Sequence, residues 1–165
     1  RQLTAKIQAA RSYAVTNRCK VAIVFPVVGD TGFSKTSFFY SAYRVCIVYE
    51  DSSEWKFESW IDGEEWKRFP TGVLVQSFST TQTIKNCNIA DIGGTTCDFT
   101  RTLIFKPDGQ MTVSPDLRIY LAYGRYISGS NPVYTEVENV KVIRHPIKIN
   151  PFTGKVTVEN AEPVP

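Results

Sequence analysis

The sequence predicts an α+β fold in which one N-terminal helix packs against antiparallel β-sheet. Three observations lead to this prediction. Helical periodicity is confined to the first 20 residues. The rest of the chain divides into about ten short strands, with turn signals at the spacing typical of antiparallel sheets. No strand–helix–strand alternation, which a parallel sheet would require, appears along the chain.

The N-terminal helix is predicted from an apolar stripe over residues 1–20. The stripe residues recur at spacings of four, three and four, which places them on one face of a helix of roughly 25 Å. They are Leu3, Ile7, Ala10 and Ala14. Neither Gly nor Pro interrupts the segment, and we expect one sheet to cover the stripe. Because no capping residue opens the first turn, we also expect that a segment has been removed upstream of Arg1.

Composition favours a single domain with a substantial core. The chain has 165 residues, of which 42% are hydrophobic and 13% aromatic, and its net charge is +3. We expect one domain over residues 1–165, with the helix at 1–20, a β domain at 21–160 and a Pro-rich tail at 161–165. The small net charge does not by itself indicate nucleic acid. No run approaches the ~20 apolar residues that cross a bilayer, so the chain as given is expected to be soluble.

Strands are predicted from β-branched and aromatic runs between turn signals. Residues 21–25 form a continuous apolar run, typical of a strand buried on both faces, and residues 43–49 are its expected antiparallel partner. Residues 79–98 are predicted as a loop or weak edge. His145-Pro146 is predicted to break a strand. The other predicted strands are 73–78, 99–105, 110–113, 117–126, 140–143, 147–149 and 155–158.

A hairpin is predicted within residues 55–66. Asp62-Gly63 is a tight-turn signal, and Trp60 and Trp66 flank it as cross-strand partners would. The long connection at 29–42 carries aromatic residues, which we expect to cover an edge of the core.

The four cysteines favour a local crosslink over a metal site. They are Cys19, Cys46, Cys87 and Cys97. Without a CxxC pair, and with one histidine, zinc binding is not expected. Cys87 and Cys97 bracket a Gly93-Gly94 turn, so we predict a disulfide between them, worth ~3 kcal/mol in the loop-entropy model, and an oxidising compartment. The other two stand in apolar surroundings and fit buried thiols equally well.

No constellation of residues predicts catalysis. His145, the single histidine, precedes a proline and is interpreted as a surface residue at a strand irregularity. The acidic residues between Glu50 and Glu65 match no calcium-binding loop. No Gly-rich loop opens a helix, so nothing predicts phosphate or dinucleotide binding. We therefore expect a noncatalytic structural or binding domain without cofactor, metal or small-molecule substrate.

Two binding alternatives remain open from the residues. One is a DNA-binding surface made by a basic grouping late in the chain. Its members are Lys141, Arg144, Lys148 and Lys155. The other is an adhesive or carbohydrate-binding β domain that uses Trp55, Trp60 and Trp66 as sugar platforms. Nearby glutamates dilute the basic grouping, which makes an ordinary solvated sheet face the simpler interpretation.

Four motifs in order resemble landmarks of the GspH/FimT family, the minor pseudopilins of type II secretion systems and minor pilins of type IV pili. They are Leu-x3-Ile-x2-Ala-Arg-Ser-x-Ala at 3–14, running into Val-Ala-Ile-Val at 21–24, then Trp-Lys-Arg-Phe-Pro-x-Gly-Val at 66–73, Ile-Phe-Lys-Pro-Asp-Gly at 104–109, and Ile-Asn-Pro-Phe-Thr-Gly-Lys-Val at 149–156. The resemblance spans nearly the whole chain.

The resemblance implies a pilin-like fold and a structural role in a filament. Its partners would be other pilin or pseudopilin subunits, and a preceding membrane-spanning helix would anchor the complete protein at the periplasmic face of the inner membrane. The apolar stripe would dock the helix on its own sheet, whereas Arg1, Lys6 and Arg11 would face neighbouring subunits or the membrane surface. The resemblance assigns no role to the segments 29–42 and 79–98.

Overall fold

The computed structural model describes residues 1–113, 117–127, 131–137 and 141–164. It begins with helix α1, Gln2–Asn17, which is shorter than the predicted 1–20. The helix ends because Arg18 takes a left-handed conformation, with φ of 52°, and the amide of Cys19 donates to the carbonyl of Ala14. This is a common way to close a helix.

The strands follow α1 in two sheets. Their bounds are β1 Lys20–Val24, β2 Ala42–Asp51, β3 Glu54–Trp60, β4 Lys67–Arg68, β5 Val73–Phe78, β6 Ile84–Asn88, β7 Thr96–Phe99, β8 Thr102–Phe105, β9 Leu117–Arg125, β10 Val133–Tyr134, β11 Glu136–Val137, β12 Lys141–Ile149, β13 Val156–Val158 and β14 Glu162–Pro163. The predicted α+β class with an N-terminal helix is confirmed.

The first sheet has the order β7-β6-β3-β2-β1-β8, with β4 beside β2. Strands β1 and β2 pair antiparallel along their length, as predicted. The sheet is not purely antiparallel, however, because β3 and β6 pair in parallel through Trp55 and Lys56. A parallel neighbour requires a long crossover, and the chain between β3 and β6 provides it by first forming β4 and β5.

The second sheet is centred on β9 and β12. Strand β9 pairs with β5, β10 and β12, while β12 also pairs with β11, β13 and β14. The predicted break at His145-Pro146 is absent, since β12 runs continuously through both residues. The carbonyl of Pro146 accepts from the amide of Glu159, so the imino nitrogen points to the same side, away from β9. The missing N–H therefore removes no hydrogen bond from the β9 ladder.

The predicted Asp62-Gly63 hairpin is wrong. The turn exists, but it leads into β4, which pairs with the start of β2 at Ala42 and Tyr43 and not with β3. The tight hairpin lies instead between β2 and β3, where Ser52 and Ser53 both have positive φ, the geometry of a two-residue hairpin turn.

Three other segments differ from their predictions. Residues 79–98 contain β6 and the start of β7 in place of a featureless loop. The predicted strand at 99–105 is divided between β7 and β8, and the return strand at 110–113 is reduced to one bridge between Phe105 and Met111. The Pro-rich tail contributes β14 to the second sheet. These pairings depend on strands far away in the sequence, so local pattern does not reveal them.

The core forms two clusters. One lies between the helix and the two sheets, so the stripe is covered by both sheets and not by one. The other lies on the opposite face of the first sheet. Strand β1 shows the division, because Val21 and Ile23 belong to the first cluster while Ala22 and Val24 belong to the second. The segments 29–42 and 79–98 cover the second cluster with Phe33, Phe39, Ile84 and Ile89.

Candidate functional site

The apolar stripe of α1, which the sequence predicts to dock the helix, is buried. Leu3 is 3% exposed, Ile7 0%, Ala10 2% and Ala14 0%. Contacts join the helix to β1 and β8 of the first sheet and to β13 of the second. Burying an aliphatic side chain of this size contributes roughly 1.5–3 kcal/mol. The stripe therefore ties the helix to its own β domain.

Lys6 has an internal ionic partner. Its Nζ donates to both carboxylate oxygens of Glu64, at 2.7 and 2.8 Å. The two side chains are only 19% and 25% exposed. Glu64 follows the Asp62-Gly63 turn, so this ion pair connects the helix to the segment between β3 and β4. Lys6 therefore holds the helix to its own domain, a contact that the sequence did not predict.

Arg11 lies across two turns that the sequence singled out as motifs. Its Nε donates to the carbonyl of Gly109 at 3.0 Å. A Cβ added at Gly154 would lie 2.2 Å from Cδ of Arg11, and one added at Gly109 would lie 3.0 Å from its Nε. Both glycines have positive φ, 64° and 79°. The Lys106–Gly109 and Asn150–Gly154 turns thus both contact the side chain of Arg11. Glycine is required at both positions because a Cβ would crowd this side chain.

The opposite side of α1 is open to solvent. Its exposed residues are Arg1, Gln2, Ala5, Ala9, Ser12, Val15 and Thr16. Within the described residues, no hydrogen bond or ion pair involves the guanidinium of Arg1; its carbonyl accepts from the hydroxyl of Thr4 and the amide of Ala5. Of the three cations expected to face neighbouring subunits, Arg1 is the one without an internal side-chain partner.

Two of the four residues in the late basic grouping, Arg144 and Lys148, interact within the chain. Arg144 forms an ion pair with Glu162, at 2.6 Å from Nη2, and stacks on Tyr120 with its guanidinium carbon 4.0 Å from the ring centre. Lys148 is half-buried and takes part in a further interaction, and Lys155 is exposed. The side chain of Lys141 lies outside the described residues. The grouping therefore does not present a continuous row of free cations, the pattern that phosphate recognition requires.

The tryptophans pack on one another and on Arg44. The Trp60 and Trp66 rings meet edge-on at 5.6 Å, and the Arg44 guanidinium lies 4.2 Å from the Trp60 ring centre. Arg44 is 9% exposed and also pairs with Asp91. Trp55 is covered by the ammonium group of Lys20 at 4.9 Å. These edge-on and covered rings do not form the open, flat platform on which a sugar stacks.

The structure has all four cysteines as free thiols, and the disulfide expected between Cys87 and Cys97 stays a prediction. Cys87 and Cys97 are directly opposite in the β6–β7 pair. Burial raises the pKa of Cys97 to about 12 and raises the pKa values of Cys46 and Cys87 further. As thiols, these three groups therefore stay protonated at neutral pH.

The candidate catalytic and metal-ligating residues are not brought together. His145 is half-buried, and its ring meets that of Tyr123 edge-on at 6.0 Å. In the acidic segment, Glu50 pairs with Lys20 and Asp51 with Lys56. Across the described ranges, no group of three or more His, Cys, Asp or Glu residues is arranged to hold a metal ion.

Asp30 is a buried carboxylate that sequence reasoning missed. It is 5% exposed and accepts three hydrogen bonds, from the amide of Val27 at 2.8 Å and from the amide and hydroxyl of Thr100 at 3.0 and 2.7 Å. Burial raises its pKa, partly offset by these hydrogen bonds. Asp30 thereby fastens the connection between β1 and β2 to the turn between β7 and β8. Its Gly-Asp-Thr-Gly setting gave only a turn signal.

Among the described residues, no helix combines the length and the apolar composition that crossing a bilayer requires.

The helix docked on two β-sheets is a minor pilin-like fold, which confirms the pilin-like fold that the motif resemblance implied. The structure is similar to the crystal structure of the type IV minor pilin FimU from Pseudomonas aeruginosa, with a TM-score of 0.51 and 14% sequence identity over 96% of this chain and 84% of that chain. A second crystal form of FimU gives a TM-score of 0.47 and 12% identity over 96% and 88% of the two chains. No protein-family model matches the sequence, and no curated protein matches it significantly.

Proposed function

We propose that this chain is a noncatalytic structural subunit of a type IV pilus-like filament or of a type II secretion pseudopilus. It acts by packing against other pilin-like subunits. The observation that carries the proposal is the position of α1, which buries Leu3, Ile7, Ala10 and Ala14 in its own domain and leaves its other side open. The likeness of this fold to a minor pilin supports the same role.

The open side of α1 is suited to close packing. Ala5, Ala9, Ser12 and Thr16 follow one another at helical spacings and are exposed. Small side chains permit two helices to approach closely. Arg1 stands at the end of this side and adds a positive charge for a neighbouring subunit or an anionic surface. We propose that this face of the helix is the main assembly surface.

We also propose that the complete protein is anchored at the periplasmic face of the inner membrane by a helix that precedes Arg1. The sequence encoded upstream tests this point. We expect a short basic leader ending in Gly, then Phe or Met, and then an apolar run of ~20 residues with an early Glu. An upstream sequence without an apolar run would contradict the anchor.

The assembly role is tested by adding bulk and charge to the open helix face. Ser12→Arg with Thr16→Arg is expected to reduce incorporation of the complete protein into filaments, because both residues are exposed and the larger side chains keep helices apart. The thermal midpoint of the isolated domain is expected to stay unchanged, since exposed substitutions alter stability by only ~0.5 kcal/mol. Asn160→Arg, also exposed, is the matched control. Normal incorporation of the double variant would refute the assembly surface.

A further inference from the structure

Two grooves meet at Arg68, beside the first residues of β2. The first, of about 610 Å³, lies between the 36–41 segment, the β4–β5 connection and the end of β9. The second, of about 490 Å³, lies between α1 and β4. Both volumes fall within the range typical of ligand-binding clefts, ~300–1,000 Å³. Arg68 lines both grooves, so the two grooves adjoin at this residue.

The positive charge of this surface has no acidic partner within it. Arg68 and Arg125 line the first groove and Lys67 lines the second, and no Asp or Glu of the described residues lines either groove. Lys6 also lines the second groove, but it is bound to Glu64. Among the described residues, no ion pair involves Lys67, Arg68 or Arg125. A carboxylate supplied from outside would therefore gain charge-assisted hydrogen bonds without breaking an internal ion pair.

Both arginines start from defined positions. Nη2 of Arg68 donates to the carbonyl of Ser37 at 2.8 Å, and its guanidinium lies 5.8 Å from the centre of the Phe38 ring. Arg125 is held at the backbone by the pairing of β9 with β10, opposite Val133. Because the Arg68 side chain is already ordered, it loses less entropy on binding, and less of the interaction energy is spent on ordering it.

The walls of the first groove indicate the class of partner. Phe39, Phe69 and Leu74 line it and are otherwise buried, and Pro70 and Tyr126 add further apolar surface. Anionic membranes are recognised by clusters of about four to eight Lys or Arg residues, more than the three unpaired cations of this surface, Lys67, Arg68 and Arg125. Duplex nucleic acid presents mainly its phosphate backbone, which has no apolar side chains to fill such walls. A peptide carries both acidic and apolar side chains, and Arg clusters are a recurrent way to bind acidic motifs.

We propose that the two grooves bind an acidic segment of a neighbouring filament subunit. Its carboxylates pair with Arg68 and Arg125, and its apolar side chains pack against Phe69 and Leu74. This inference rests on the proposed function. It adds a second contact surface on the β domain to the open face of α1, and it names the kind of segment that this surface binds.

The binding test uses a fluorescent peptide of alternating Glu and Leu, titrated with the full chain and followed by anisotropy. A peptide of alternating Gln and Leu is the neutral comparison. Arg68→Glu with Arg125→Glu is expected to weaken binding of the acidic peptide by about tenfold or more, since reversal replaces attraction by repulsion. Lys155→Glu, another exposed cation outside the grooves, is the matched control and is expected to leave affinity unchanged.

Several outcomes would overturn the inference. They are no binding of the acidic peptide, equal binding of the neutral peptide, equal weakening by Lys155→Glu, and a preference for single-stranded DNA or for phosphatidylglycerol vesicles. If the charge-reversed variant fails to fold by circular dichroism, Arg68→Gln with Arg125→Gln replaces it, with a smaller expected loss of affinity.

Filament incorporation separates this inference from the proposed function. If the wild-type protein enters filaments and the groove variant enters equally well, the partner assignment is wrong and the assembly role stands. If the wild-type protein never enters filaments, the assembly role is wrong. In that case, peptide binding decides only whether the grooves recognise acidic segments.

Discussion

Gly154→Ala tests how the helix is fastened to the β domain. The new Cβ would lie 2.2 Å from Cδ and 2.4 Å from Nε of Arg11, and 3.1 Å from the carbonyl oxygen of Gly109. Arg11 would have to move, and its Nε would then lose the hydrogen bond to that carbonyl. The alanine would also have to adopt the φ of 64° that Gly154 has.

The expected cost follows from these two effects. A left-handed conformation costs an L-residue about 1–2 kcal/mol, and a lost hydrogen bond costs about 1 kcal/mol. Together they lower the free energy of unfolding by about 2–3 kcal/mol. For a domain of this size, 1 kcal/mol corresponds to about 2–4 °C. The thermal midpoint should therefore fall by about 4–12 °C.

The assay is urea unfolding of four proteins: the wild type, Gly154→Ala, Arg11→Ala and the double variant. In the Arg11→Ala background the clash is absent, so Gly154→Ala should cost only the backbone strain, about 1 kcal/mol less than in the wild type. Gly63→Ala is the control for strain alone, since Gly63 has a φ of 76° and nothing within 4 Å of its Cβ position. An equal cost of Gly154→Ala in both backgrounds would refute the role assigned to Arg11.

Three further predictions concern the core and the buried titratable groups. Ile7→Ala should lower the free energy of unfolding by about 2–5 kcal/mol because it leaves a cavity in the core, whereas Val15→Ala on the exposed face should cost under ~0.5 kcal/mol; similar urea midpoints would contradict the docking of the helix. Burial raises the pKa of Asp30. The Asp30 side chain therefore stabilises the folded state fully at a pH below the pKa of an ordinary aspartate, and this stabilisation is lost as the pH rises through the raised pKa of the folded state. The stability difference between the wild type and Asp30→Asn should then decrease as pH rises from about 3 to 7, and urea titrations that show an increase would contradict this. Iodoacetamide should modify the half-buried Cys19 before Cys97, whose pKa burial raises to about 12, because alkylation requires an accessible thiolate; mass spectrometry that finds equal rates in the folded protein would count against the burial of Cys97.

Local periodicity was sufficient to predict the helix and to identify its buried face. Leu3, Ile7, Ala10 and Ala14 are spaced so that a single helix turns all four to one side, and this relation involves neighbours in the sequence only. The same holds for β1, whose continuous apolar run matches a strand with core on both faces. The internal partners of the candidate cations could not be predicted in this way. Lys6 and Arg11 carry no local sign that Glu64 and the Gly109 carbonyl lie beside them.

Strand partners could not be obtained from local pattern. Asp62-Gly63 forms a turn, as its residue types require, yet whether the strand after it joins β3 or β2 depends on competing packing across the whole sheet. Pro146 suggested a break because proline lacks an N–H. Its effect depends on which side of β12 that nitrogen faces, and only the pairing with β9 and Glu159 decides this.

By itself, the sequence determined the helix, its docking stripe, most of the strands and the resemblance to minor pilins, because each depends on the spacing of nearby residues. Tertiary structure alone decided which sheet each strand joins, which cations are bound internally, and where unpaired positive charge remains. Residues such as Arg68 and Arg125 are 57 positions apart in the sequence and line one groove only after β4 and β9 reach the same part of the molecule. Such a surface depends on contacts between distant segments, and the free energy of packing the whole chain selects those contacts.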